Sequence, residues 1–77
     1  MKYYVDTIEQ IKDTEEGTYT EYGARAKQTD YQAALVAFYD KLKNVSNSAV
    51  HVWLDIKIVN SQGGIEKKDS IGEYIES

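Results

Sequence analysis

The clearest periodicity in the chain lies between Ala49 and Asn60, where Val50, Val52, Leu54, Ile56 and Ile58 alternate with His51, Trp53, Asp55 and Lys57. A strict period of two, apolar on one side only, predicts a strand with one face on a core and the other face open. Five branched apolar residues on one face predict a central place in the sheet. A second strand is predicted at about Lys2 to Lys12, with Tyr3, Val5, Thr7 and Ile11 on one face and Tyr4, Asp6, Ile8 and Gln10 on the other. Its alternation loosens around Ile8, which predicts a bulge or a strong twist there. Asp13-Thr14-Glu15-Glu16-Gly17 reads as a hairpin loop, with Gly17 supplying a positive φ. It leads to a strand at about Thr18 to Lys27, with Thr20, Tyr22, Ala24 and Ala26 as the core face and Tyr19, Glu21, Gly23, Arg25 and Lys27 opposite. After the turn signal Ser61-Gln62-Gly63-Gly64, a last strand is predicted from about Ile65 to Ser70, with Ile75 as its furthest limit and Gly72 marking a bulge or an end.

Between the two hairpins the period changes. Tyr31, Ala34, Leu35, Phe38, Leu42 and Val45 recur at helical spacing within a stripe roughly 100° wide, as on a helix packed on one side. Thr29-Asp30-Tyr31-Gln32 fits a capping box with Thr29 as the cap. Gln32, Asp40 and Lys43 point away from the stripe, as does Val36. Asn44 to Ser48, short and polar, end the helix.

The order β-β-α-β-β predicts an α+β fold: a four-stranded, mostly antiparallel sheet with one amphipathic helix packed on one face. It forms a single α+β domain over residues 1–77. The expected core is Val5, Tyr22, Ala24, Leu35, Phe38, Leu42, Val50, Val52, Leu54, Ile56, Ile58 and Ile71. Surface scaling gives roughly 4,800 Å² exposed when folded against roughly 12,800 Å² unfolded. One core is affordable at that ratio, a deep internal pocket is not, and an interface with a second copy would add stability.

Composition narrows the chemistry. The absence of Cys excludes disulfides, thiolate zinc sites, iron–sulfur clusters and cysteine nucleophiles. With no apolar leader or membrane-length run, it makes the cytoplasm the expected location. A net charge of −4 disfavours general nucleic-acid binding, which needs a basic surface. No cofactor is expected. His51, the single His, and Asp55 share a strand face, but their Cα atoms would lie roughly 13 Å apart, too far to hydrogen-bond. The acid pairs Glu15-Glu16, Glu66 with Asp69 and Glu73 with Glu76 fall in turns or near the C-terminus, where water screens them, and Gly63-Gly64 lacks the helix that a phosphate loop requires.

What stands out is the aromatic content: seven Tyr, one Trp and one Phe. With Val52 and Leu54 toward the helix, Trp53 faces away beside His51 and Asp55, Tyr4 and Tyr19 share that side, and Tyr74 is placed to join them. An exposed Trp amid Tyr is the composition of an interface centre, although cross-strand packing that stiffens a thin sheet gives the same pattern. Together with Met1-Lys2-Tyr3-Tyr4-Val5, the helix Ala33-Ala34-Leu35-Val36-Ala37-Phe38-Tyr39 and the Gly63-Gly64 hairpin, the chain resembles small proteins of Firmicutes phages and conjugative elements. That resemblance implies an accessory role through binding and carries no residue roles with it. The leading expectation is a non-enzymatic protein-interaction or self-association module using Trp53, His51, Tyr4, Tyr19 and Asp55. Its partner would be a second copy, as a homodimer, or another protein. One alternative is a nucleic-acid-binding accessory protein using Arg25, Lys27, Lys57 and Lys67, with Lys68 nearby. The other is a small enzyme or ligand-binding subunit with its site at a dimer interface.

Overall fold

The computed structural model describes residues 2–76. Its elements are β1 (Tyr3–Lys12), β2 (Tyr19–Gln28), α1 (Tyr31–Ser46), β3 (His51–Asn60) and β4 (Ile65–Gly72). The strands form one sheet in the order β2-β1-β3-β4, and every neighbouring pair is antiparallel. The first strand therefore sits inside the sheet. β2 and β3 both run opposite to β1 and flank it, so they are parallel to each other, and no tight hairpin can join them. The helix is the crossover that carries the chain from one side of β1 to the other.

The helix lies over the two inner strands. Its buried residues Ala34, Phe38 and Val45 pack with Val5 of β1 and Leu54, Ile56 and Ile58 of β3, and Tyr3, Leu35, Ala37, Leu42 and Ile71 close around them. The register explains why these residues meet: Val5 lies opposite Ile58, Thr7 opposite Ile56 and Glu9 opposite Leu54, which puts one set of alternating side chains from both strands under the helix. Val36 points to solvent, as its place off the stripe predicts.

Four expectations are corrected. The helix cap is Asp30, whose carboxylate accepts a 2.8 Å hydrogen bond from the Ala33 N–H. Thr29 lies one residue too early, and a carboxylate also suits the positive end of the helix dipole. Tyr22 and Ala24 do lie on the helix side of β2, but both are exposed, Tyr22 at 54%. One helix about 10 Å wide covers two strands spaced about 4.8 Å apart and does not reach the outer one. The bulge is not at Ile8. Gln10 faces Trp53 while Ile11 faces His51, so Val52 is the extra residue, inserted in β3. A one-residue slip exchanges the faces beyond it, which leaves Val50 and Val52 half-buried rather than in the core and carries His51 to the helix side. A second irregularity, with Ile58 opposite Lys67 and Val59 opposite Ile65, makes Glu66 the extra residue of β4.

Phe38 and Tyr22 both belong to the core expected from the pattern, and the structure separates them. Phe38→Ala is expected to cost about 3–5 kcal/mol, whereas Tyr22→Ala, on an uncovered strand, should stay within about 0.5 kcal/mol. Urea unfolding of the two variants in dilute solution measures the difference.

Candidate interaction surface

The face of the sheet away from the helix carries Tyr4, Asp6, Ile8 and Gln10 from β1, Tyr19 to Lys27 at every second residue from β2, and Trp53, Asp55, Lys57 and Val59 from β3. It divides into three zones along the strands.

At one end the chain covers its own surface. Gly72, opposite Trp53, has φ +74°, and a Cβ there would strike the carbonyl oxygen of Val52. Only glycine accepts both that backbone and that approach. The turn sends the segment 73–76 across the outer face. The Tyr74 ring meets Trp53 edge-on, with centroids 5.2 Å apart, and its hydroxyl donates to Glu21 of β2 at 3.0 Å. That carboxylate pushes the Tyr74 phenol above its ordinary value. Gln10, only 3% exposed, donates from Nε2 to the Ile75 carbonyl at 2.7 Å and accepts from the Ile75 N–H at 2.9 Å. A primary amide offers one donor and one acceptor in a plane, so it pairs with a peptide unit as a strand would.

The middle zone is open. Arg25 holds Asp6 through two bonds of 2.6 Å each, and its guanidinium lies 4.8 Å over the Tyr4 ring. The hydrogen bond from Arg25 holds the Asp6 carboxyl below its ordinary value against the opposing effect of burial, with the charges of Arg25 and Lys57 adding to it. Next to this pair Ile8 stands 44% exposed on an inner strand, between Gly23 of β2 and Asp55 of β3. The missing side chain at Gly23 leaves a shallow hollow of about 320 Å³ among Asp6, Ile8, Gly23, Arg25, Asp55 and Lys57. At the far end Tyr4 lies opposite Val59, which is buried, and Val59 lies opposite Ile65, which is 55% exposed.

The five residues singled out from the sequence do not form one patch. Trp53 and Tyr19 lie toward the end that segment 73–76 crosses, and Asp55 lies in the middle. Tyr4 is six residues from Trp53 in the frame of β3, roughly 20 Å away. His51 is on the other face altogether. Its Nε2 is 3.3 Å from Glu9 Oε1, its Nδ1 is 2.8 Å from the Ser48 hydroxyl, and the second Glu9 oxygen meets the Lys41 ammonium of the helix at 2.6 Å. Burial pushes Glu9 upward, but Lys41 and His51 together outweigh it and hold the carboxyl below its ordinary value. The basic residues are divided too. Arg25 is neutralised by Asp6, and Lys67 lies on the helix side, 5.9 Å and 5.6 Å from the Phe38 and Tyr39 ring centroids.

Sequence reasoning missed Gln10 and Ile75, which are 65 residues apart and share no pattern. Gly72, marked as a bulge or an end, was the available signal. Among the described residues no group of three or more His, Cys, Asp or Glu side chains gathers as metal ligands, and no helix is long and apolar enough to cross a membrane. Compared with known proteins, the chain matches no protein-family model, no curated protein and no solved structure.

Two outcomes are expected. Gly72→Ala should release segment 73–76 and expose Trp53, the single Trp, so that its fluorescence emission shifts to longer wavelength while the far-ultraviolet circular dichroism stays that of the folded sheet. For pH, a carboxyl whose folded pKa is depressed stabilises the fold fully above its unfolded pKa, here near 4.5 for Glu9, and loses that contribution as pH falls through the folded value. Glu9→Gln should therefore lower stability at pH 7 by about 1 kcal/mol and flatten the loss of stability on acidification below about pH 4.5, as measured by urea midpoints across that range.

Proposed function

We propose that this protein is a non-enzymatic interaction module that docks another protein on the middle zone of its outer sheet face. The observation that carries this reading is Ile8, 44% exposed on an inner strand at the edge of a hollow floored by Gly23. An apolar side chain in a preformed depression, rimmed by charges of both signs of which Arg25 and Asp6 are already fixed to each other, is the arrangement that interface centres use. Arg25 is held by Asp6 and by the Tyr4 ring, so little side-chain freedom remains to be lost on binding. The mixed signs of Asp6, Arg25, Asp55 and Lys57 favour a protein surface of mixed charge over a phosphate backbone. The cytoplasm, and an accessory role on a mobile element, belong to the same reading: the first rests on the Cys-free composition, the second on the opening Met1-Lys2-Tyr3-Tyr4-Val5, the helix stretch from Ala33 to Tyr39 and the Gly63-Gly64 hairpin.

Trp53 takes a different part in this reading. Half-covered by Tyr74, it anchors the chain's own segment 73–76 and borders the docking zone.

Ile8→Asp should weaken partner capture by about 2 kcal/mol or more without loss of the folded circular dichroism signal. Proteins retained from extracts of the producing cells by the wild type and lost from Ile8→Asp would be the expected result. Identical retention by both proteins would overturn the reading.

A further inference from the structure

β2 is the least protected element of the fold. It is ten residues long, lies at the sheet edge, contains no Pro, has no register shift against β1 and is not covered by the helix. The opposite edge is guarded differently: β4 carries the extra residue Glu66, the neighbouring charges Lys67 and Lys68, and the turn at Gly72. Those are the devices by which natural sheets discourage pairing, and β2 has only its side-chain charges. The molecule as a whole also exposes 5234 Å², where a compact chain of its mass exposes about 4,800 Å².

The hydrogen-bonding direction of β2 follows from its neighbours. The Lys12 N–H donates toward β3, to Val50, and the Asp13 N–H donates to Thr18 on the β2 side. Along the β1–β2 ladder the even-numbered residues of β2 thus bond to β1. Tyr19, Glu21, Gly23, Arg25 and Lys27 turn their N–H and C=O groups to the open edge.

We propose that β2 pairs antiparallel with β2 of a second copy about a two-fold axis at Ala24, which joins two four-stranded sheets into one continuous sheet. The sequence of β2 is complementary to itself in that register. Glu21 falls opposite the second copy's Lys27 on the outer face, twice by symmetry, and Gly23 falls opposite Arg25. On the helix side Tyr22 falls opposite the small Ala26, and Ala24 meets Ala24. Opposite charges directly across a ladder, and large residues against small ones, favour the pairing. Among the described residues Lys27 forms no salt bridge that would compete with this pairing. It crowds the Lys2 ammonium, holding that group below its ordinary value. The neighbouring register, shifted to place Gly23 on the axis, would put Glu21 against Arg25, whose guanidinium is already bound to Asp6. The dimer leaves the outer face open and brings the two hollows side by side across the axis, so this pairing and the docking of a protein at Ile8 stand or fall separately.

Sedimentation of the wild-type chain from micromolar to millimolar concentration should show a reversible monomer–dimer equilibrium. Lys27→Glu, which sets like charges across the ladder, should raise the dissociation constant at least tenfold, and adding Glu21→Lys to it should restore dimerisation. Because the chain has no Cys, Ala24→Cys supplies a single thiol, and a central non-hydrogen-bonded pair brings the two Cα atoms to within disulfide range. That variant should oxidise to a covalent dimer at concentrations where Val36→Cys, on the exposed helix face, stays monomeric. Ile8→Asp should leave the equilibrium unchanged. A wild type that remains monomeric throughout, or a dimer indifferent to Lys27→Glu in a protein of unaltered circular dichroism, would overturn the proposal.

Discussion

The seating of Phe38 and Ala34 on the Leu54–Ile56–Ile58 row of β3 is the contact on which the rest depends. All five residues are fully excluded from solvent. A chain of this size buries only about 60% of its potential surface and has no second core to fall back on. The position of that contact determines which strands lie under the helix and which do not. β1 and β3 share it, and β4 contributes Ile71 at its margin. β2 is left with its ladder to β1 and little else, so it has a fully formed backbone and almost no buried side chain.

From that asymmetry follow the two uncovered surfaces of the molecule. A one-helix sheet has an open face by construction, and here the chain treats different parts of that face differently. Segment 73–76 closes the Trp53 end, using the buried amide of Gln10 as a substitute for a strand edge. The middle zone stays open around Ile8, with Arg25 and Asp6 tied to each other and Asp55 and Lys57 exposed beside them. The polar cluster on the helix side, Glu9 with His51 and Lys41, does structural work instead. It ties β1, the start of β3 and the helix together where the apolar packing thins out.

Much of the fold was legible from periodicity because local patterns that agree with the global fold leave few alternatives. The β-β-α-β-β order, the helix stripe, the central place of β3 and the turn at Gly17 were all readable in this way. The candidate site was much less legible. The expectation that Trp53, His51, Tyr4, Tyr19 and Asp55 share one surface assumed an unbroken alternation along β3. The extra residue at Val52 carries His51 to the other face, with no local signal to mark that position, because Val suits a strand and a bulge of this kind alike; the other four keep the outer face but are spread along it, with Tyr4 six residues from Trp53 in the frame of β3.

The sequence by itself determined what each segment is. Alternation and helical spacing are consequences of backbone geometry and act over a few residues, so they can be read along the chain. It also determined the chemistry that Cys-free composition rules out. Only the tertiary structure decided which residues are neighbours: that Tyr22 and Ala24 lie beyond the reach of the helix, that His51 changes face, and that Ile75 returns to Gln10 over Trp53. Those outcomes depend on strand order, register and the width of one helix, which are properties of the assembled sheet and are encoded in no single stretch of it.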